Sequence, residues 1–329
     1  MIYQLLLLLS PAAEPALQRF SFAENHMGTR FRLVFYAPDE ATANKAAQTA
    51  FARIAALDAI MSDYRPTSEL MLLCKKSGGA PVPVSEDLFA VLEKSQELAR
   101  KSDGAFDVTV GPLTKIWRLS RRTQILPSQE TLTKAMELVG HDKVRLDPKE
   151  RTVQLMKAGM QLDLGGIAKG YAADQVLLVL KKYGIDRALV AAGGDIAVGA
   201  PPPDAEGWKI GIEPLEEPGK EPGRFIILKN AAVSTSGDAE QFVEIDGKRY
   251  SHILDPKTGL GLVGRMSVTV IAPNGTMADS MTKPVCVLGP EKGLKLIEET
   301  DGVACLIVRK TEKGEAVIES QRFKAFNKP

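Results

Sequence analysis

The sequence predicts an α+β fold, with mixed or antiparallel sheets and flanking helices. Three observations carry this. Capped, amphipathic helices fill the first half, short β-branched strands fill the second, and neither a repeat nor a linker separates two globular units. Residues 19–329 therefore read as one domain, with room for two lobes and a crevice lined by Gly-rich turns.

Phe31, Leu33 and Phe35 alternate with Arg30, Arg32 and Val34, the period of a strand. From Glu40 to Met61, the residues Ala43, Ala47, Ala50, Ile54, Leu57 and Met61 recur at spacings of three and four. That is one apolar stripe of a helix. Ser85 can cap a second helix through Arg100, which Asp103-Gly104 stops. Ser128 caps a third, expected to end at Gly140. Lys143 to Leu155 reads as a hairpin turning at Asp147-Pro148-Lys149-Glu150. Met160 to Leu164 reads as an apolar strand that enters Gly165-Gly166. A helix follows to Lys181-Lys182-Tyr183 and stops at Gly184. Ala188 to Ala192 is a strand of small residues. Gly193-Gly194-Asp195 breaks it as a bulge or a ligand approach, and Ile196 to Gly199 resumes it. Trp208 to Ile212, Phe225 to Lys229 and Ser267 to Ile271 are short strands. Phe242 to Ile245 and Arg249 to His252 flank Asp246-Gly247, a strong hairpin turn. Residues 201–203 and 213–223 read as surface loops.

Composition narrows the function. Lys and Arg number 42 against 41 Asp and Glu, a formal charge of +1. Nucleic acid binding has no electrostatic footprint here. Cys74, Cys286 and Cys305 are far apart and odd in number, so they are read as buried small residues and not as a disulfide framework. Ile2 to Leu9 is apolar but too short to span a bilayer. With Ser10-Pro11-Ala12-Ala13 behind it, it resembles the core and cleavage region of an export signal, without the usual preceding basic residues. Residues 1–18 are expected to be that signal.

The chemistry sits in the Gly-rich turns. In Asp163-Leu164-Gly165-Gly166-Ile167-Ala168-Lys169-Gly170 an acid precedes a double glycine, and a lysine opens the following helix. Backbone N–H groups, the helix dipole and Lys169 together make an anion cradle suited to phosphate or pyrophosphate. A tight strand-to-helix turn would explain the glycines alone. Four more segments stand out: Gly193-Gly194-Asp195, Ser234-Thr235-Ser236-Gly237-Asp238, Tyr250-Ser251-His252-Ile253-Leu254-Asp255-Pro256, and Ala278-Asp279 with Thr282 and Lys283 behind it.

With Met27-Gly28-Thr29, Met61-Ser62-Asp63-Tyr64-Arg65-Pro66 and Gly104-Ala105-Phe106-Asp107-Val108-Thr109, these segments resemble the ApbE family of flavin transferases, in the family's order and over most of the chain. The resemblance implies a reaction in which FMN is moved from FAD to a threonine or serine of a target protein, releasing AMP. It implies that His252 is the base, because it matches the family's His-Ile-x-Asp-Pro motif. It implies FAD contacts from Met27, Tyr64, Ala105, Phe106, Asp107, Asp163, Lys169, Ile253 and Thr282. It implies Mg²⁺ at Asp279 and the Gly166 carbonyl, an acceptor subunit of a membrane redox complex, and a place in the periplasm or on the outer face of the inner membrane.

One position departs from the pattern. The family has a threonine four residues after the aspartate, and Lys283 stands there with Thr282 one residue earlier. Two outcomes follow. Thr282 takes the ligand role after Pro284 bends the helix, or the Lys283 ammonium fills part of the metal site and pairs with Asp279. Three functions stay open: FMN transferase, FAD-binding protein without transfer, and Mg²⁺-dependent FAD pyrophosphatase.

Overall fold

The computed structural model describes residues 16–215, 222–237 and 242–326. The expected signal lies mostly outside these residues, as does Asp238. The first part of the chain folds as β1 (Gln18–His26), β2 (Thr29–Ala37), α1 (Glu40–Met61), α2 (Glu69–Lys75), β3 (Val82–Pro83), α3 (Glu86–Lys101), α4 (Gly111–Thr123), α5 (Gln129–Met136), β4 (Val144–Asp147) and β5 (Thr152–Leu155). Then come α6 (Ala168–Lys181), β6 (Ala188–Ala192), β7 (Asp195–Val198), β8 (Trp208–Ile212), β9 (Arg224–Leu228) and β10 (Ala231–Gly237). The last part comprises β11 (Phe242–Ile245), β12 (Lys248–Leu254), β13 (Gly261–Val263), β14 (Met266–Ala272), α7 (Gly275–Glu298), β15 (Ala304–Thr311) and β16 (Gly314–Glu319).

The helices form where capping and burial agree. Asp39 accepts the Thr42 N–H at 2.7 Å and starts α1, whose predicted stripe is entirely buried. Ser85 and Ser128 cap α3 and α5 in the same way. An antiparallel eight-stranded sheet, ordered β1-β2-β6-β7-β10-β14-β15-β16, organises the molecule. On one face it packs against α1, α6 and α7 around Phe31, Leu33, Phe35, Ile54 and Val176. On the other, Val34, Val198 and Leu306 meet Trp208, Ile210 and Ile226 of the β8–β9 ribbon. A smaller core, with Leu113 and Trp117 of α4 and Tyr250 of β12, holds α4 and α5 to the β11–β12 hairpin.

Four sequence expectations need correction. Met160 to Leu164 is not a strand, although Met160, Leu162 and Leu164 are all buried. It crosses the core as irregular chain, with the Asp163 N–H bonded to the Val108 carbonyl at 2.8 Å. Gly193-Gly194 is not a bulge in one strand. It is the two-residue turn of a β6–β7 hairpin, with Ala192 opposite Asp195. Helix α5 ends at Met136, short of Gly140. Helix α7 keeps helical backbone through Pro284 and breaks instead at Gly289, where φ is 74°.

The turns β1–β2 and β6–β7 and the end of β10 share one end of the large sheet. A Cβ on Gly193 would lie 3.1 Å from the Thr29 hydroxyl, and one on Gly194 would lie 2.9 Å from the Thr235 carbonyl. The start of α6 arrives at that end. Gly170 makes the approach possible, because a Cβ there would sit 2.0 Å from the Gly275 carbonyl and 2.8 Å from the Asp279 Cβ. Only glycine lets α6 and α7 come so close.

Candidate active site

Asp279 is the centre of the site. It is 0% exposed, one turn into α7. The Gly170 N–H donates to its Oδ2 at 3.1 Å, Lys169 Nζ stands 3.9 Å from Oδ2, and Lys283 Nζ ion-pairs with Oδ1. Burial opposes the charge on Asp279, but the two ammoniums and the Gly170 N–H outweigh it and hold the carboxyl below its usual range. Lys169 is coupled in turn to Asp195, which accepts from the Ser234 hydroxyl at 2.5 Å. Burial pulls the Lys169 ammonium down, yet the charges of Asp279 and Asp195 dominate and raise it above the usual lysine range. Two lysines and two aspartates thus make a locally neutral cluster at the start of α6.

Lys283 lies along Gly166. A Cβ on Gly166 would meet its Cε at 3.2 Å and its Cγ at 3.4 Å. Thr282 turns elsewhere, with its hydroxyl donating to the Asp279 carbonyl at 2.7 Å and meeting the Ser236 hydroxyl at 2.8 Å.

A second group stands beside the Gly165-Gly166 turn. Asp163 Oδ1 accepts the Gly165 N–H at 2.8 Å and so tightens the turn. Its Oδ2 lies 3.8 Å from Arg118 of α4, and Arg118 reaches Asp63 at 2.6 Å. The guanidinium also covers the ring of Tyr64, which is 73% exposed. Burial, then the charge of Asp163, push the Asp63 carboxyl up against the pull of Arg118.

The remaining expected residues are more scattered. Ala105 and Phe106 are buried, and Asp107 accepts from the Thr109 N–H at 2.8 Å and its hydroxyl at 2.7 Å. Its carboxyl is raised by burial. Met27 is half-buried in the β1–β2 turn at the shared end of the sheet. His252 is exposed on β12, beside Thr114, Trp117 and Arg121 of α4. Ile253 next to it is buried and donates its N–H to Ser251 Oγ at 3.1 Å. Helix α4 therefore joins the two parts, with Arg118 toward Asp163 and Trp117 toward His252. Sequence reasoning gave no role to Arg118 or Asp195. Asp195 was visible directly after a double glycine, whereas Arg118 lies on a helix without a cap signal.

The Lys169 and Lys283 ammoniums flank Asp279, the exposed Tyr64 ring stands over Arg118, and His252 lies on β12 of a separate sheet. The sequence model of the ApbE family matches residues 27–307. The chain belongs to the ApbE family. Its relatives include the FAD:protein FMN transferase of Treponema pallidum, 35% identical over 306 residues, covering 88% of this chain and 84% of that one. The Haemophilus influenzae protein of the same name is 33% identical and covers 92% and 90%. Among solved structures, the flavin transferase ApbE of Vibrio cholerae superposes with a TM-score of 0.86 at 29% identity, over 94% of this chain and all of that one. The ApbE protein of Thermotoga maritima gives 0.85 at 31%, over 95% and 100%.

The donor set does not suit the Mg²⁺ that this ApbE chain was expected to hold. Mg²⁺ requires oxygens in close octahedral array. Asp279 already faces two ammoniums and an N–H, and Thr282 is engaged with Ser236. A divalent ion roughly 4 Å from one ammonium would meet repulsion on the order of 8 kcal/mol at a partly screened site.

Proposed function

We propose that this protein is an FAD:protein FMN transferase. The observation that carries the reading is the pair of ammoniums, Lys169 and Lys283, gathered at the Gly166 turn by the buried carboxylates Asp195 and Asp279. A dinucleotide pyrophosphate is the anion it suits, and the printed names of the relatives supply the reaction.

The acceptor threonine or serine hydroxyl attacks the FMN-side phosphorus. A new oxygen–phosphorus bond forms, the bond from that phosphorus to the bridging oxygen breaks, and AMP leaves. His252 takes the hydroxyl proton, the task of a general base. Lys169 offsets the charge that develops on the phosphates. Asp163 shapes the turn through the Gly165 N–H. Tyr64, braced by Arg118, offers a face to the adenine. Residues 105–107 contribute to the nucleotide side through backbone, since the Asp107 carboxylate caps its own turn. Met27 and Ile253 line the flavin side, and Thr282 steadies Asp279 through its carbonyl. A Mg²⁺ at Asp279 and the Gly166 carbonyl would require Lys283 to withdraw.

The acceptor is a flavoprotein, read as a subunit of a membrane redox complex, and the reaction is placed outside the cytoplasm behind an export signal in residues 1–18. The Lys283 pairing with Asp279 favours one second reading, FAD binding without transfer. Incubation with FAD and a flavin-acceptor protein separates the possibilities. Transfer gives flavinylated acceptor with AMP in equal amount. Hydrolysis gives free FMN and AMP, and simple binding leaves FAD intact.

A further inference from the structure

We infer that Lys283 stands in for a divalent cation at Asp279, so that FAD is held through two lysines and its binding does not depend on Mg²⁺. The inference rests on the FAD reading of the site and concerns how that site is charged. Lys283 Nζ donates both to the Asp279 carboxylate and to the Asp279 main-chain carbonyl, the latter at 3.1 Å. Its stem fills the space over Gly166. The Lys283 side chain keeps 18% of its surface open, whereas Asp279 keeps none, so Lys283 is the reachable residue of the pair.

The alternative rescue, in which Thr282 shifts to take up a metal, is opposed by its contacts. Its hydroxyl is satisfied by Ser236 and by the carbonyl one turn back, and the residue is fully buried. The bend that would swing it round lies at Gly289, well past Thr282. Lys169 reaches Asp279 Oδ2 from the other side. Two ammoniums therefore flank Asp279, with Asp195 balancing Lys169, and an incoming pyrophosphate meets their N–H donors without any ion. An ammonium is a compact point charge with rotatable donors, suited to phosphate oxygens.

The test is an FAD titration of the whole protein by flavin fluorescence, in EDTA and in millimolar Mg²⁺. Binding of Mn²⁺ is followed in parallel by electron paramagnetic resonance. The wild type is expected to bind FAD equally well in both buffers and to immobilise no Mn²⁺. Lys283→Thr is expected to lose about tenfold or more in affinity in EDTA, the size of a lost charge-assisted contact. It should recover in Mg²⁺ and immobilise Mn²⁺. Wild-type binding that requires Mg²⁺, or immobilised Mn²⁺ in the wild type, overturns the inference, and neither readout depends on the variant folding. Wild type that binds no FAD in either buffer strikes the FAD reading itself, and the Mn²⁺ signal still decides whether Lys283 excludes the ion.

Discussion

The Arg118 guanidinium carbon lies 3.9 Å from the centroid of the Tyr64 ring. The same cation holds Asp63 and stands near Asp163, and its Nε has no partner among the described residues. One side chain thus fixes an exposed ring and two acids beside the Gly165-Gly166 turn, and keeps one buried donor unpartnered. Removing it leaves Asp63 buried beside Asp163 without compensation, a costly arrangement.

Arg118→Ala is accordingly expected to weaken FAD binding by about tenfold, because the Tyr64 ring loses the cation stacked on it. Arg118→Lys should recover only part of this, because an ammonium does not stack on the ring as a planar guanidinium does. Fluorescence titration measures both. Equal affinity in Arg118→Ala and the wild type would show that Tyr64 needs no brace.

His252 is exposed at the surface of β12, so truncating it opens no core cavity. His252→Ala should therefore keep FAD affinity and unfolding midpoint, yet lose transfer to an acceptor by roughly 10²–10⁴-fold, the range for a missing general base. The rate of acceptor flavinylation is the measurement. An undiminished rate would assign the proton to another group.

Much of this fold was legible because local signals and burial agreed. Helix α1 was found at both ends, since Asp39 caps it and its alanine stripe matches the helical period. The β11–β12 hairpin was found through Asp246-Gly247, both of which adopt the positive φ such a turn needs. The errors came where long-range contacts decide. Met160 to Leu164 has the alternation of a strand, but its Asp163 N–H is bonded to Val108, which lies in a helical turn and not in a strand. Gly193-Gly194 carries the same sequence signal for a bulge and for a hairpin turn, and only the pairing of Ala192 with Asp195 distinguishes them. In the site, the turn residues were legible, as was the conflict at Lys283. The Arg118 link was not, since Asp63, Arg118 and Asp163 meet only in three dimensions.

Gly170 sets the spacing of the two helices that carry Lys169 and Asp279. Gly170→Ala would drive a methyl into the Gly275 carbonyl and the Asp279 side chain. Neither atom belongs to a flexible tip, so α6 must move away from α7. A stability loss of about 1–3 kcal/mol or more is expected, as for an overpacked core, together with weaker FAD binding. Urea unfolding tests it against Gly223→Ala, where an added methyl meets nothing within 4 Å. Equal losses in the two variants would mean that the close approach is not what Gly170 provides.

Asp87 ties three helices together away from the site. Arg53 of α1 donates to its Oδ2 at 2.8 Å, and the Tyr171 hydroxyl of α6 donates to its Oδ1 at 2.8 Å. Arg53 also reaches Gln175 at 2.8 Å. Burial opposes the Asp87 charge, but the bonds from Arg53 and Tyr171 prevail and lower the carboxyl below its ordinary value of 3.8. A carboxyl lowered on folding stabilises the native state above the ordinary value and ceases to do so as pH falls through its folded value. Asp87→Asn should therefore be less stable than the wild type at pH 7, by about 1–2 kcal/mol for a partly exposed charged contact. That gap should close on acidification below the ordinary value, as the wild type also loses the charge. Urea unfolding of both proteins from pH 7 down to the acid limit measures the gap. A gap of constant size throughout would show that the carboxylate charge contributes nothing and that Asp87 acts by shape alone.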